Sequence, residues 1–443
     1  MRYGIALFVF IAFNGCGGSD EGTACAELYG TVEGASATHH VGVGCQFATV
    51  AAALATATTG DAIIISPGTY RENITLTERV DLVGIGGPIV RGTITIRGVE
   101  NQVVRDLTIA KSTGPGVVVD GGSATLDGVA VSEAASGSAV GHGLVITGGA
   151  NVTLDNVSAN GCAGSGVFVE AATVTMTSGT LRANVGGLVA LKAATATLDG
   201  VAVTRNSTFG VANFGSSVTL QGQTVIRETL SVDDTPSGDG LVVVLADGQP
   251  GMTTANGLTL EANARHGALV DASSLVLANA TLTGNGSTFS GAGIRVQAVG
   301  GTVDVTNSQI TDSTGNGIIA TESARLEADG VTVSGTKAAV FARDTEDFGD
   351  GIAVLSNAGA IITNCTIASN ARAGVLFDRA SGAGATFTNN SVSNNAVDVA
   401  LQRNTATTPL DASAVESGFG VTSSSPDLLI DAGAALLPAA PVR

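Results

Sequence analysis

The stretch "GVVVDGGSATLDGVAV", residues 116–131, contains the unit from which most of this 443-residue chain is built. A glycine begins a run of alternating apolar residues, a tight turn follows, and a second alternating run ends the unit. Alternation with a period of two is typical of β-strands, because successive side chains of a strand point to opposite faces. The stretch therefore predicts short strands joined by glycine-containing turns.

The same unit recurs along the chain, with successive starts 21 to 34 residues apart. The second run is as regular as the first, since "ATLDGVAV" stands at 124 and again at 196. Repeats of variable length, with two to three strands in each, are typical of a coil rather than a sandwich. We expect about twelve or more coils, stacked at about 4.8 Å per coil into a solenoid. The first runs begin at Gly116, Gly143, Gly166, Gly187, Gly210, Gly240, Gly267, Gly293, Gly317, Gly351, Gly374 and Ala396.

Alternation also predicts which side chains of the first run face the core. The residues one and three after the glycine, such as Val117 and Val119, are expected inside the coil. The residue two after the glycine is expected outside, so the row from Val118 to Leu376 predicts an exposed, mostly apolar stripe that suggests a covering loop, a partner or self-association. Asparagines four residues before the glycine are expected to hydrogen-bond between stacked turns. They are Asn206, Asn263 and Asn370.

These repeats, together with the segment "FATVAAALATATTGDAIIISPGTYRENITLTERVDLVGIGG" at 47–87, resemble the pectin-lyase-like superfamily. The resemblance covers residues 46–402 and implies an all-β, right-handed parallel β-helix with a short capping helix at 47–57. It says little about activity, because this fold carries lyases, hydrolases, epimerases and binding or adhesive proteins. The predicted organisation is a signal peptide at 1–15, a tether with a disulfide at 16–45, the β-helix at 46–402 and a C-terminal cap or tail at 403–443.

The first residues resemble a bacterial lipoprotein signal. An apolar stretch at 5–13, too short to span a bilayer, ends in "FNGC". The resemblance implies that Cys16 carries the lipid, that this lipid is the only membrane attachment, and that the protein lies in the bacterial cell envelope, at the outer membrane or surface. Ordinary secretion is the alternative.

An exported chain permits disulfides, and Cys25 and Cys45 are predicted to form one. Cys162 and Cys365 stand alone within repeats and are expected to be buried thiols. His39 and His40 fit no zinc-site spacing, so we interpret them as solvated loop residues.

No catalytic constellation is visible, and a net charge of −18 argues against nucleic acid as a partner. Glycoside cleavage needs two carboxylates within about 5–10 Å. The outward row offers one arginine, Arg295, and no acid, and the acids further along these strands are interpreted as isolated and solvated. We predict a non-catalytic binding, adhesive or structural envelope protein with a surface polymer or protein as partner; the alternative is a polysaccharide lyase or related carbohydrate enzyme. These acids are Asp120, Glu170, Asp271 and Asp378.

Two acidic segments, "SVDDTPSGDGLVVV" (231–244) and "FARDTEDFGDGIAV" (341–354), stand at one corner of the coil. Asp-Gly suits tight turns, so turn chemistry with solvated charge is the first interpretation. Calcium is the alternative cofactor, and the two loops, four coils or about 19 Å apart, would each bind it alone. The candidate ligands are Asp233, Asp234 and Asp239 in the first loop and Asp344, Glu346, Asp347 and Asp350 in the second.

Overall fold

The computed structural model describes residues 21–137, 139–232, 237–286, 291–340, 347–422 and 428–431. Over these residues the chain winds into a right-handed parallel β-solenoid of about 15 coils, which confirms the predicted fold class. Each full coil adds strands to three parallel sheets, called sheet 1, sheet 2 and sheet 3 in their order within the repeat unit that begins at the glycine. In the unit that begins at Gly116, they contain residues 117–120, 123–127 and 130–132.

The strand bounds follow this three-sheet pattern. Four strands bend from one sheet into the next: Ile94–Arg105, Val117–Asp127, Asn151–Asn160 and Thr173–Arg182. The other strands of sheet 1 are Ile74–Leu76, Leu144–Thr147, Ser165–Glu170, Gly186–Leu191, Phe209–Phe214, Asp239–Val244, His266–Asp271, Gly291–Gln297, Gly315–Ala320, Asp350–Leu355, Ala373–Asp378, Val397–Gln402 and Leu428–Asp431. Those of sheet 2 are Thr38–Val41, Ala62–Ile65, Asp81–Gly84, Thr195–Asp199, Ser217–Gln221, Met252–Asn256, Ser274–Ala278, Thr302–Thr306, Arg325–Asp329, Gly359–Thr363 and Ser381–Thr388. Those of sheet 3 are Thr69–Tyr70, Ile89–Val90, Thr108–Ala110, Ala130–Ser132, Ala202–Thr204, Val225–Arg227, Thr259–Glu261, Thr281–Thr283, Gln309–Thr311, Thr332–Ser334, Thr366–Ala368 and Ser391–Ser393.

The core is one continuous apolar column inside the three sheets. The inward positions are as predicted, because Val117 and Val119 are buried and so are their counterparts on later coils, such as Leu144 and Ile146. Each fully buried aliphatic side chain contributes about 1.5–3 kcal/mol relative to an exposed one. Many small contributions of this kind, repeated coil by coil, stabilise the solenoid.

The predicted asparagine contacts are present and form a longer ladder than expected. Nδ2 of Asn263 donates to Oδ1 of Asn285 at 2.9 Å, one coil further on. The same side-chain bond joins Asn184 to Asn206 at 3.2 Å, and Asn370 to Asn395 at 3.0 Å. These amides also bond to backbone groups of adjacent coils, so they satisfy polar groups that the turn would otherwise bury unpaired.

Helices lie near both ends of the solenoid. α1 spans Glu21–Tyr29, which the sequence did not predict, and α2 spans Val50–Leu54, which is shorter than the predicted 47–57. Helix α2 begins where the Thr49 hydroxyl accepts a hydrogen bond from the backbone of Ala52, and it buries Val50 and Ala53. A disulfide joins Cys25 to Cys45, with the Cα atoms 5.2 Å apart.

At the other end α3, Ala412–Phe419, packs against the last strand of sheet 2. Its Phe419 ring lies 5.3 Å from that of Phe387 and 6.0 Å from that of Phe377. Sheet 1 continues beyond the predicted boundary at residue 402, because Leu428–Asp431 pairs with Val397–Gln402.

The interpretation of two histidines as solvated is wrong. His40 is buried, and its Nε2 lies 2.8 Å from the carbonyl oxygen of Gly30. Nε2 of His39 lies 3.2 Å from Oδ2 of Asp61. Both rings therefore connect the first strand to neighbouring segments. Cys162 and Cys365 are buried free thiols, as predicted.

Candidate functional site on the outer face of sheet 1

The outward row of sheet 1 is only partly the exposed stripe that the sequence predicts. Val118, Val145 and Phe168 are half-buried, whereas Ala353 and Leu376 are fully buried. The later coils carry a second apolar cluster outside the solenoid, so a prediction of exposure along the whole row is wrong. The cluster contains Ala292, Ile319, Phe348, Ala353, Leu355, Ala373, Leu376 and Ala400.

A small hairpin explains this burial. Ala339–Val340 pairs with Asp347–Phe348 in an antiparallel ladder outside the solenoid sheets. Phe348, at the end of this hairpin, is buried in the outer cluster. The described end of the long segment that precedes Gly351 therefore covers part of sheet 1 through Phe348. On the earlier coils Val118, Val145, Phe168, Val242 and Leu269 remain partly exposed, whereas Val189 and Ala212 are buried.

The two Asp-Gly acids are not solvated turn residues, which corrects the first interpretation. Asp239 is 2% exposed and lies at the start of a strand of sheet 1. Nε of Arg265, on the next coil, donates to its Oδ1 at 2.8 Å, Nη2 donates to Oδ2, and the backbone N–H of His266 donates at 3.2 Å. Burial raises the pKa of the Asp239 carboxyl, and Arg265 and the His266 amide oppose that rise.

Asp350 repeats this arrangement. It also begins a strand and is fully buried. Nε and Nη2 of Arg372, on the next coil, donate to its two oxygens at 2.8 and 2.5 Å, and the N–H of Ala373 donates at 3.1 Å. Such bidentate pairs are strong and geometrically specific. Each pair therefore joins two successive coils.

These pairs bear on the calcium prediction. Asp239 and Asp350 have their carboxylate oxygens engaged by arginines rather than free for a cation. Among the described residues, no three His, Cys, Asp or Glu side chains come together as a potential metal site. The remaining candidate ligands are Asp233, Asp234, Asp344 and Glu346, which lie outside the described residues, and Asp347, whose backbone alone is described.

The acids further along sheet 1 are not isolated, which corrects that part of their interpretation, whereas Asp120, with its side chain 45% exposed, is solvated as expected. Asp120 lies 3.5 Å from Nε of Arg97, and Asp378 is fully buried against Arg403. The other two of these acids, Glu170 and Asp271, also have side-chain partners. Lys192 donates to Glu170, and Nε2 of Gln297 donates to Asp271 at 2.8 Å.

His142 is also used structurally. Its Nδ1 accepts a hydrogen bond from the backbone N–H of Ser165 at 2.9 Å, and its ring lies 4.6 Å from that of Phe168. Burial lowers the pKa of His142, and the bond from Ser165 opposes that change. The ring therefore helps to hold the loop before Gly143 against the next coil.

One group of polar side chains on this face is not fully paired. Arg295 is 6% exposed, and its Nε donates to Oε1 of Gln297 at 2.7 Å, but its Nη2 is buried and has no hydrogen-bond partner within the described structure. Nδ1 of His266 and Oδ1 of Asn316 are likewise buried without partners. His266, Ala292 and Asn316 lie side by side on three successive coils, and Arg295 follows Ala292 on the middle strand.

The electrostatics of this group are set by burial and by the neighbouring charges. No described carboxylate lies within ion-pair distance of Arg295. Burial lowers the pKa of its guanidinium, and the more distant carboxylates of Glu322, Asp239 and Asp271 only partly oppose that change. Burial lowers the pKa of His266 well below its usual value, and the positive charges of Arg265 and Arg295 lower it further. A neutral imidazole with a free nitrogen therefore lies near a guanidinium. We call Arg295, His266 and Asn316 the Arg295 site.

Sequence reasoning noted Arg295 as the single charge of its row but missed His266 and Asn316. The sequence does contain a pattern from which the aspartate–arginine pairs could have been predicted. An Asp one residue before the glycine, at 239 and 350, is followed on the next coil by an Arg two residues before the glycine, at 265 and 372. Arg295 does not stand at this position, because it follows Gly293 by two residues.

The comparisons with known proteins address the fold. The family model described as "Right handed beta helix region" matches residues 92–244 and 239–430. No curated protein matches this sequence significantly. No helix within the described ranges is both long and apolar enough to cross a membrane.

Solved structures are similar in fold at low sequence identity. The A-module of the mannuronan C-5 epimerase AlgE4 of Azotobacter vinelandii has a TM-score of 0.42 and 18% identity, over 77% of this chain and 94% of that chain. The catalytic unit of a thermostable GH87 α-1,3-glucanase from Streptomyces thermodiastaticus has a TM-score of 0.43 and 15% identity, over 69% and 62%. Likeness at this level concerns the fold alone.

Proposed function

The chain belongs to the right-handed β-helix family, and on that premise we propose that it is a non-catalytic binding protein that holds an acidic polysaccharide against the outer face of sheet 1. One observation carries the proposal: Arg295 is a buried cation without an ion pair in the described structure. Buried charges in proteins are normally paired or hydrogen-bonded. An anionic group of a ligand would supply the missing partner.

Comparison with the other arginines on this face supports that assignment. Arg265, Arg372 and Arg403 each donate to both oxygens of an aspartate on the preceding coil. Arg295 instead has a neutral partner, Gln297. A carboxylate or sulfate of the ligand would accept from the guanidinium as those aspartates do.

The earlier coils of sheet 1 offer a surface on which an extended polymer could continue. Phe168, Phe209 and Phe214 are half-buried there, and large apolar side chains at the rim of this face are exposed. The coil of Phe168 is five coils from that of Arg295, or about 24 Å along the solenoid. A saccharide chain lying along the axis would thus place apolar ring faces on the phenylalanines and an acidic group at Arg295. The exposed rim residues are Val140, Val185, Leu230 and Leu245.

The pairing of the acids favours binding over cleavage. Hydrolysis of a glycosidic bond usually requires two carboxylates that are free to act as acid and as base or nucleophile. On this face the described acids Asp239, Asp350 and Asp378 are held by arginines. We further propose that a lipid on Cys16, which lies outside the described residues, presents the solenoid from the bacterial cell envelope.

Binding would be tested by titrating the purified protein with uronate-bearing, sulfated and neutral polysaccharides. We expect an acidic polymer to bind and Arg295→Gln to weaken it at least about tenfold, which is the loss of one charge-assisted contact of about 1.4 kcal/mol or more. Arg105→Gln, on an exposed side chain of sheet 2, is the matched control and should bind like the parent. Equal binding by the Arg295→Gln variant, with its melting temperature preserved, would refute the proposal.

A lyase or epimerase is the second candidate function, and the free Nδ1 of neutral His266 favours it. A neutral imidazole can accept a proton from the carbon next to a carboxylate, while a nearby guanidinium offsets the carboxylate charge. A rise in ultraviolet absorbance from an unsaturated product, or a change in sugar composition of the recovered polymer, would establish turnover. Recovery of an unchanged polymer after long incubation supports binding alone.

A further inference from the structure

Two adjacent coils depart from the repeat at the corner between sheets 1 and 2. The first outward position of sheet 2 carries a side chain on seven earlier coils, whereas Gly359 occupies it on this one. On the next coil the pairing is shifted: Gly359 pairs with Ser381, but Ile361 pairs with Thr386, so the later strand contains three extra residues. The seven side chains are Thr173, Thr195, Ser217, Met252, Ser274, Thr302 and Arg325.

Together these departures form a cleft. The glycine removes a side chain from the floor, and the extra residues around Gly382–Gly384 leave the sheet to form one wall. The cleft has a volume of about 250 Å³, and its principal lining residues are Ser323, Arg325, Asn357, Gly359, Ile361 and Ser381. A Cβ atom built on Gly359 would approach only the carbonyl oxygen of Ala383, at 3.8 Å, which confirms the open space above this glycine.

The chemistry of the walls is polar and close to neutral. Ser323, Asn357 and Ser381 present hydroxyl and amide groups, and Ile361 adds an apolar surface. Nε of Arg325 donates to Oε1 of Glu327 at 3.1 Å, so the positive charge of the arginine is offset within the protein. Nδ2 of Asn357 donates to Oγ of Ser323 at 3.3 Å, which joins the turns of two successive coils at the rim.

We infer that this cleft binds a single neutral sugar residue, such as the end of a glycan chain. A pyranose ring fits a volume of this size, and it presents both hydroxyl groups for the polar rim and C–H groups for Ile361. The offset charge of Arg325 argues against an anionic ligand here. The site does not use Arg295, and it lies at a corner of the solenoid rather than on the open face of sheet 1.

Filling the cleft is the sharpest test. Gly359→Leu puts a side chain into the space without backbone strain, because Gly359 does not have a positive φ. Ser217→Leu is the matched control, since it adds the same side chain at the same position of an undisturbed coil. Saturation-transfer NMR would measure binding of glucose, galactose, mannose and N-acetylglucosamine to the full chain, with melting temperatures recorded for each variant.

We expect at least one of these sugars to bind the parent and the Ser217→Leu variant equally, and to bind Gly359→Leu at least about tenfold more weakly. A second variant, Asn357→Gly, removes a rim amide from an exposed turn at a residue with a φ of 67°, which glycine adopts without strain, and should weaken binding. Absence of binding to the parent, or unchanged binding after Gly359→Leu, would overturn the inference. Arg295→Gln leaves this cleft intact, so it should not change the binding of these sugars. A loss of polymer binding in that variant therefore tests the Arg295 site and not the cleft.

Discussion

Replacing Asp239 by Asn tests whether the buried aspartate–arginine pair stabilises the junction between coils. The carboxylate accepts from two nitrogens of Arg265 and from the N–H of His266. Asn keeps one acceptor oxygen but turns the other into a donor that faces the guanidinium. The lost charge-assisted bond is worth about 1.5–3 kcal/mol. Burial raises the pKa of Asp239, so the charged carboxylate also carries a desolvation cost that Asn avoids.

The lost hydrogen bond outweighs the desolvation cost that is avoided, so we expect Asp239→Asn to lower the free energy of unfolding by about 2 kcal/mol. With an unfolding entropy of about 2.1 cal/mol/K per residue over about 400 residues, that loss lowers the melting temperature by about 2–3 °C. Urea unfolding followed by circular dichroism would measure the change directly. Asp127→Asn, on an exposed acid of sheet 2, is the control and should stay within about 0.5 kcal/mol of the parent.

A double-mutant cycle with Arg265→Gln separates the pair from its surroundings. The double variant should lose less stability than the sum of the two single losses, with a coupling energy of about 1–2 kcal/mol, because each single change leaves a buried partner behind. Additive losses, or an Asp239→Asn variant as stable as the parent, would show that the pair does not hold the coils together.

Three further outcomes are expected. Calcium and a chelator should give the same melting temperature, because the carboxylate of Asp239 is held by arginine; stabilisation by calcium that Asp239→Asn abolishes would restore the calcium interpretation. Asn263→Ala should cost about 2–3 kcal/mol in urea unfolding, because it leaves backbone and Asn285 groups of the ladder without partners, whereas Asn151→Ala, at an exposed strand residue without a positive φ, should cost less than about 0.5 kcal/mol. Cys16→Ser should abolish incorporation of labelled fatty acid and release the protein from the membrane fraction; retention there would contradict lipidation.

The solenoid was predictable because its strongest signals are local. Period-two alternation after each glycine predicts the buried pair Val117 and Val119 without any knowledge of neighbouring coils. Three members of the asparagine ladder were predictable for the same reason, since Asn206, Asn263 and Asn370 each stand four residues before a repeat glycine. Asn184, Asn285 and Asn395 stand three, eight and one residues before the first runs that begin at Gly187, Gly293 and Ala396, so the four-residue spacing does not identify them.

The outer face was less predictable because its contacts join different coils. Asp239 and Arg265 are 26 residues apart, and their pairing depends on the length of the loop between the coils. The segment before Asp350 has no sequence periodicity that indicates how it folds. The pairing of Ala339–Val340 with Asp347–Phe348 was therefore not predicted. The wrong interpretation of Asp239 and Asp350 as solvated has the same cause. The turn preference of Asp-Gly is a local property, whereas the arginine that pairs with each aspartate lies on the next coil.

The overall charge of the protein limits which acidic polymer the Arg295 site would accept. A net charge of −18 repels a densely charged polyanion, and this repulsion is screened beyond about 8 Å at physiological ionic strength. A close pair with Arg295 lies inside that distance and is partly shielded from salt because the guanidinium is buried. The combination favours a chain whose acidic groups are widely spaced, so that one meets Arg295 while uncharged ring faces lie on Phe168, Phe209 and Phe214. It disfavours nucleic acid and polyphosphate, whose closely spaced charges would meet the acidic surface on every coil.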